Sequence, residues 1–216
     1  MRAASDLRKL HSAVQYRINR IKYRYISVLK GPKENHDLLI AYCVIELDNM
    51  AISTLREFTV SCLNRARTLN GHRITINKSF NNEKEISAFI LSIINTVKYG
   101  KIGAPKLIDR DKEPTVRDPK DIEKILSTCN ASNLPSLRTA ISLNTGIFRD
   151  LATLRNFYAH RNEDTWKKVR NKARDIGVSP IQHPDEIVQA TILGRPVSIF
   201  EDWLAEAAIF FDELMK

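Results

Sequence analysis

Glycine and proline are scarce in this chain of 216 residues, at 7 and 8. That excludes a collagen-like or low-complexity chain and argues against a many-stranded β fold, whose turns depend on these residues. Cysteine is rarer still. Cys43, Cys62 and Cys129 are isolated and odd in number, with no Cys-x-x-Cys pair. Neither a disulfide framework nor a zinc site is indicated, and the three read as small apolar core residues in a reducing compartment. Glycine-rich phosphate loops and a Gly-x-Ser-x-Gly elbow are missing, which weakens the nucleotide-hydrolase, dehydrogenase and serine-hydrolase readings. His11, His36, His72 and His183 have no carboxylate or cysteine at metal-ligand spacing in the sequence, so no metal and no cofactor is expected. The chain is charged from Arg2 onward and has no signal-type apolar core. Its longest apolar stretch without a charge, Ile86–Val97, contains Ser87, Ser92, Asn95 and Thr96 and is too short to span a bilayer. The expectation is a cytoplasmic protein that does not engage membranes.

What is present favours helices. Hydrophobic residues make up 43%, enough for a packed core, and Leu, Ile, Ala, Lys, Arg and Glu are abundant. The formal charge is +9 and is distributed unevenly. Residues 1–30 carry Arg2, Arg8, Lys9, Arg17, Arg20, Lys22, Arg24 and Lys30 against Asp6 alone, whereas 198–216 carry five acids and one lysine. A regional basic surface of this kind suits a polyanion.

Residues 5–30 read as a basic helix with Leu7, Leu10, Val14, Ile18, Ile21 and Tyr25 in one apolar stripe, ended by Gly31-Pro32. A long helix follows over 36–69, with apolar positions at Leu38, Ala41, Tyr42, Ile45, Ile52, Leu55, Cys62 and Leu63, stopped by Asn70-Gly71. The segment 71–82 is polar with a β-like patch at Ile74–Ile76. Asn82–Glu85 has a capping-box pattern and opens a helix to about Tyr99. A loop or insertion spans 100–117. Asp118-Pro119 starts a helix through Leu126. A short helix follows at 135–143, then a long one at about 147–174. Residues 185–193 are ambiguous between helix and strand. Gly194-Arg195-Pro196 turns the chain, and Ser198–Glu201 caps a last, acidic helix over 199–215. The sum is an all-α bundle of five to seven helices in one domain covering 1–216.

The 147–174 helix carries the chemistry. At about 100° per residue, Ile147, Leu151, Leu154 and Tyr158 share an apolar arc. Asn156 and His160 are four apart on the opposite, polar side, and Arg155 lies at the edge between the faces. An imidazole, an amide and a guanidinium together suit metal-independent cleavage of RNA. The 2′-hydroxyl is the nucleophile, histidine moves protons near neutral pH, and a forked guanidinium stabilises charge gathering on phosphorus. Arg155, His160 and Asn156 are therefore the candidate catalytic residues. Glu46, in the polar stripe with Asn49, Ser53 and Glu57, is a candidate to hold Arg155 or His160, with Tyr158 a further candidate support. Arg161, Lys167, Lys168 and Arg170 are candidates for RNA phosphates. Trp166 and Trp203 read as core or interface anchors.

The run Arg155-Asn156-Phe157-Tyr158-Ala159-His160, followed by Arg161-Asn162, resembles the signature of the HEPN superfamily (higher eukaryotes and prokaryotes nucleotide-binding domains), above all its single-domain prokaryotic members of toxin–antitoxin and anti-phage systems, including the RiboL-PSP-HEPN group. The resemblance implies an all-helical HEPN-type bundle and a metal-independent endoribonuclease leaving 2′,3′-cyclic phosphate. It also implies a homodimer with two Arg–His helices at one cleft, and service as a toxin or anti-phage defence effector beside an antitoxin or other partner protein. The tyrosine that receives AMP in some such toxins would fall two residues after the histidine. Asn162 stands there, which speaks against control by AMP transfer. A dimer follows from the chemistry as well, because one imidazole cannot serve at once as base and acid; Phe148 and Phe157 are candidates for its contact. The alternative is a catalytically inactive HEPN-like module that binds RNA or protein through the basic N-terminal helix and the 100–117 segment. A DNA-binding regulator is weaker, since no helix-turn-helix is evident.

Overall fold

The computed structural model describes residues 5–95, 103, 105–191, 194 and 196–216. Arg2, the expected run of the third helix to Tyr99, parts of the 100–117 and 185–193 segments, and Arg195 of the expected turn lie outside the described residues. The chain is all-α. Among the described residues its α-helices are α1 (Leu7–Lys30), α2 (His36–Leu63), α3 (Glu83–Ile94), α4 (Pro119–Thr128), α5 (Leu134–Ser142), α6 (Gly146–Arg149), α7 (Leu151–His160), α8 (Glu163–Asp175), α9 (Asp185–Gln189) and α10 (Ile199–Met215). Isolated bridges join Arg67 to Asp6 and Arg73, and Thr191 to Ser198. No strand forms at Ile74–Ile76; Ile74 and Ile76 are buried as core residues instead.

The residues fall into two compact units. One comprises Met1–Ala13, Ile52–Leu143 and Phe211–Lys216, the other Val14–Ala51 and Asn144–Phe210. In the first, Leu55, Phe58, Ile86, Ile90, Ile122, Ile125, Leu126 and Leu137 form the buried interior. The described part of the 100–117 segment is pinned to this unit. Ile108 clusters with Ala88 and Leu91, and Glu113 takes a two-pronged hold from Arg56 at 2.9 and 3.0 Å. In the second, Tyr25 stacks against Phe200 at 4.6 Å and Phe148 against Phe210 at 4.6 Å, around Ile21, Val44, Leu47, Leu154 and Val169. Burying side chains of this size is worth about 2 kcal/mol each.

All six residues of the expected α1 stripe are buried. The α2 stripe needs correction. Ile40, Val44, Leu47, Met50 and Leu55 are buried, whereas Leu38 and Tyr42 are exposed. The helix also ends at Leu63, short of 69. Arg65 enters the left-handed region at φ 58°, and Ala66 N–H bonds Ser61 O while Arg65 N–H bonds Cys62 O, the two-bond C-terminal cap that closes a helix. The helical stretch Lys33–Leu63, which contains α2, is long and apolar enough to cross a bilayer by length and composition, but 56% of its most apolar window is buried inside the protein.

The caps read from sequence are in place: Asn82 accepts from Glu85 N–H, Asp118 from Lys120 N–H, and Ser198 from Glu201 N–H. The three cysteines are buried and free. Burial pushes the Cys62 thiol up to about 12 and that of Cys43 up to about 11, so both are inert core groups.

Candidate active site

The expected helix over 147–174 is three helices, and the breaks shape the site. The first break is at Asp150. Its side chain is 3% exposed and receives a fork from Arg149 at 2.8 and 3.0 Å and Lys172 Nζ at 2.9 Å. Burial raises the Asp150 carboxyl, but the bonds from Arg149 and Lys172 outweigh burial and hold it below its ordinary value. Just before it, a Cβ on Gly146 would lie 2.6 Å from Trp203 Nε1, so only glycine fits that turn. The second break is at Arg161. It sits in the left-handed region (φ 43°, ψ 46°), closing α7 with a bond from its N–H to Phe157 O at 2.7 Å. Asn162 then caps α8, exchanging bonds with Thr165. Two polar residues thus stop one helix and start another one residue later.

Helix α7 buries Leu151, Leu154 and Tyr158 and presents Asn156, Ala159 and His160 to solvent. Arg155 lies between these faces. Its Nε is 3.5 Å from Asp48 Oδ2 on α2, and its Nη1 donates a long 3.4 Å bond to Asn156 Oδ1. Nε is buried without a well-aligned acceptor, so the Asp48 contact is an ion pair rather than a good hydrogen bond. The guanidinium is therefore held loosely, with its terminal nitrogens toward the exposed amide. His160 ends α7 and makes no side-chain bond among the described residues.

Glu46 does not hold Arg155 or His160. It takes Arg20 at 2.8 Å and Arg24 at 2.6 Å from α1. Residues 46 and 48 are about 200° apart around α2, so Glu46 faces α1 while Asp48 faces α7. Tyr158 is buried and donates its hydroxyl to Asp185 Oδ1. Burial and the neighbouring carboxylate push the phenol far up, so it stays a donor. Burial also raises Asp185.

Arg161, one of the expected RNA-binding residues, lies against Asp37 at 3.4 Å with half of its side chain exposed. Lys167, Lys168 and Arg170 are exposed but belong to α8, so they do not continue the axis of the Arg–His helix as expected. Arg170 places its guanidinium 5.9 Å from the ring centre of Trp166. The two tryptophans part company: Trp203 is buried, as a core anchor should be, whereas Trp166 is half-buried and packs 5.5 Å from Phe157. Phe148 and Phe157 both have aromatic partners within the chain.

One group escaped the sequence reading. Asp37 of α2 meets His183 and Asp185, with His183 Nε2 3.6 Å from Asp37 Oδ1 and Nδ1 3.4 Å from Asp185 Oδ2. Their ligating atoms lie within 4.8 Å of one another, and the donor types would suit a divalent cation. Each already has a partner: Arg161 lies on Asp37, Tyr158 on Asp185, and the imidazole bridges both carboxylates. Asp185 stands two residues after His183, a spacing that does not by itself mark a ligand pair, and the approach of Asp37 comes only from the fold. Beside this group, a cavity of 360 Å³ opens against Phe157, Arg161, Trp166 and Gln182.

Fold and site together define an all-helical chain presenting an accessible arginine, amide and imidazole from a single helix. No protein-family model matches it, and no curated protein or solved structure is significantly similar to it.

Proposed function

We propose that the chain is a metal-independent endoribonuclease of the HEPN type, acting as a homodimer in the role of a toxin or defence effector. The observation that carries this reading is the split character of α7. One side is locked into the core, and the other offers Asn156 and His160 to solvent beside an Arg155 guanidinium tethered at Asp48.

In this reaction a His160 imidazole takes the proton of the ribose 2′-hydroxyl as that oxygen attacks phosphorus. The bond from phosphorus to the 5′-oxygen breaks, and a second His160 returns a proton to that oxygen. The products are a 2′,3′-cyclic phosphate and a 5′-hydroxyl. Arg155 stabilises the charge on the non-bridging oxygens, and Asn156 orients the phosphate or the guanidinium. The two imidazoles come from two subunits across a two-fold axis, which brings the same patch of each chain together. His160 lies at the exposed end of its helix, as such a shared cleft requires.

The test is cleavage of single-stranded RNA in excess EDTA by wild type and His160→Ala. Wild type is expected to cleave to cyclic-phosphate ends, and the variant to lose about 10²- to 10⁴-fold in rate. Equal rates, or full dependence on added metal, overturn the mechanism. A second reading, an inactive RNA- or protein-binding module, draws on the fact that a single chain sets only one imidazole on the presenting face of α7. RNA binding by wild type without cleavage selects it.

A further inference from the structure

The cavity beside α7 has features that cleavage chemistry alone does not require. Two of its walls are aromatic: Phe157, three residues before His160, and Trp166 on α8, with ring centres 5.5 Å apart and planes tilted by 49°. Both are half-buried, so each shows ring surface to solvent. Arg170 lies over the Trp166 ring, a cation–π contact that steadies the indole. The rim mixes donors and acceptors: the Arg161 guanidinium, the Gln182 amide and the Glu163 carboxylate. Among the described residues the side chains of Gln182 and Glu163 make no bond to one another or to any third group. The Asn162 amide oxygen is committed to Thr165, which leaves its NH₂ for a ligand. At 360 Å³ the space falls within the range of small-molecule sites.

A second cavity, of 430 Å³, adjoins along α8 and is lined by Lys167, Arg170, Asn171 and Arg174. Among the described residues no acidic side chain lines it. Arg170 belongs to both features, as the cation on Trp166 and as a wall of the basic cavity. A partly apolar cavity that offers aromatic ring surface and polar edges, followed by a cationic trough, matches a nucleotide chain. Bases stack on aromatic rings irrespective of sequence, and phosphates follow the cations. A folded duplex keeps its base faces covered and cannot use such a cavity. A larger cavity of 650 Å³ at the α1–α2 turn, lined by Tyr23, Arg24 and Tyr42, contains none of the motif residues.

We propose that the Phe157–Trp166 cavity seats one unpaired RNA base next to the cleaved phosphate, and that Lys167, Arg170 and Arg174 take the phosphates that follow. An unpaired strand is thereby selected through stacking on these two rings rather than through pairing. This rests on the ribonuclease reading, but binding and cleavage can be tested apart.

The experiment uses full-length His160→Ala, in which the cavity is intact and cleavage is removed. It is titrated with AMP, GMP, CMP, UMP and ribose 5-phosphate while tryptophan fluorescence is followed. Trp203 is buried, so Trp166 is the tryptophan a ligand can reach. The nucleotides are expected to quench and the base-free sugar phosphate not to. In parallel, the anisotropy of a labelled short oligoribonucleotide is measured, single-stranded and as a duplex. Trp166→Ala is expected to weaken single-strand binding about tenfold, and Trp166→Phe to restore most of it. The affinity of Trp166→Phe also guards against a folding defect in the alanine variant. Equal quenching by ribose 5-phosphate, unchanged binding by Trp166→Ala, or duplex binding as tight as single-strand binding each overturn the proposal. If wild type never cleaves yet Trp166 still governs single-strand binding, the ribonuclease reading falls and the base seat stands.

Discussion

Each unit of the molecule places an arginine against a carboxylate of α2 or a neighbouring loop, and the two pairs are built differently. In the first unit, Arg56 and Glu113 form a closed group. Glu113 is 3% exposed at its side chain, takes both prongs of the guanidinium and accepts a 2.6 Å bond from Ser87 Oγ, while Arg56 reaches on to Glu83. In the second, Arg155 lies 3.5 Å from Asp48 by an Nε that lacks an aligned acceptor, and among the described residues its terminal nitrogens have a single 3.4 Å bond, to Asn156. A closed group spends its hydrogen-bonding capacity on the fold. An open one keeps capacity for something that arrives from solvent. The difference lies in what surrounds each arginine rather than in residue type.

The largest expected effect tests the open group. Arg155→Lys keeps a positive charge opposite Asp48 but loses the planar fork that grips a phosphate. RNA cleavage is expected to fall about 10²- to 10³-fold, while unfolding in urea shifts by less than about 1 kcal/mol. Retention of the wild-type rate would show that the guanidinium does not touch the reacting phosphate.

The next effect is smaller and falls on the closed group. Glu113→Gln removes the charge that Arg56 and Ser87 address while preserving shape. It is expected to cost about 2 kcal/mol in urea unfolding, the scale of charge-assisted bonds to a buried carboxylate. The rate of RNA cleavage per folded molecule should not change. A variant as stable as wild type but slower on RNA would reverse the assignment of the two arginines.

The contrast between the two arginines was not legible in the sequence, although much of the fold and the polar face of the site was. The α1 stripe and the caps at Asn82, Asp118 and Ser198 are local, and spacing exposes them. The polar face of α7 was legible in the same way, since Asn156 and His160 stand one turn apart. The break after His160 was not, because Arg161 in a left-handed conformation is an uncommon helix stop and the Asn162–Thr165 box begins only one residue later. Leu38 and Tyr42 joined the wrong stripe because α2 is apolar on several sides, so periodicity does not single out the buried face. The partner of Arg155 was misassigned by two residues, Glu46 for Asp48, which is the difference between opposite sides of a helix. Only the approach of α7 and α1 decides which side matters. The meeting of Asp37, His183 and Asp185 depends on tertiary contact in the same way.

The smallest effect asks whether closure, rather than membership of one unit, makes a charge structural. Asp150 belongs to the unit that carries the motif, yet it is closed: 3% exposed at the side chain, forked by Arg149 and bonded by Lys172. Its carboxyl is held below the ordinary value because the two cations outweigh the burial that would raise it. A folded-state value below the unfolded one means that the unfolded chain binds the proton more readily. The resulting stability is fully present above the unfolded carboxyl's range, about 4, and is lost as pH falls through the folded value. Asp150→Asn cannot titrate and lacks this term at every pH. In urea unfolding the wild type is therefore expected to exceed the variant near neutral pH, with the gap narrowing as the solution is acidified below about pH 4. RNA cleavage per folded molecule should be the same for both at neutral pH. A gap that stays constant through the acid range would mean that packing at the α6–α7 junction, and not the charge, is what Asp150 supplies. A loss of cleavage without loss of stability would place Asp150 with the open group, and closure would no longer separate the residues that hold the fold from those that meet the substrate.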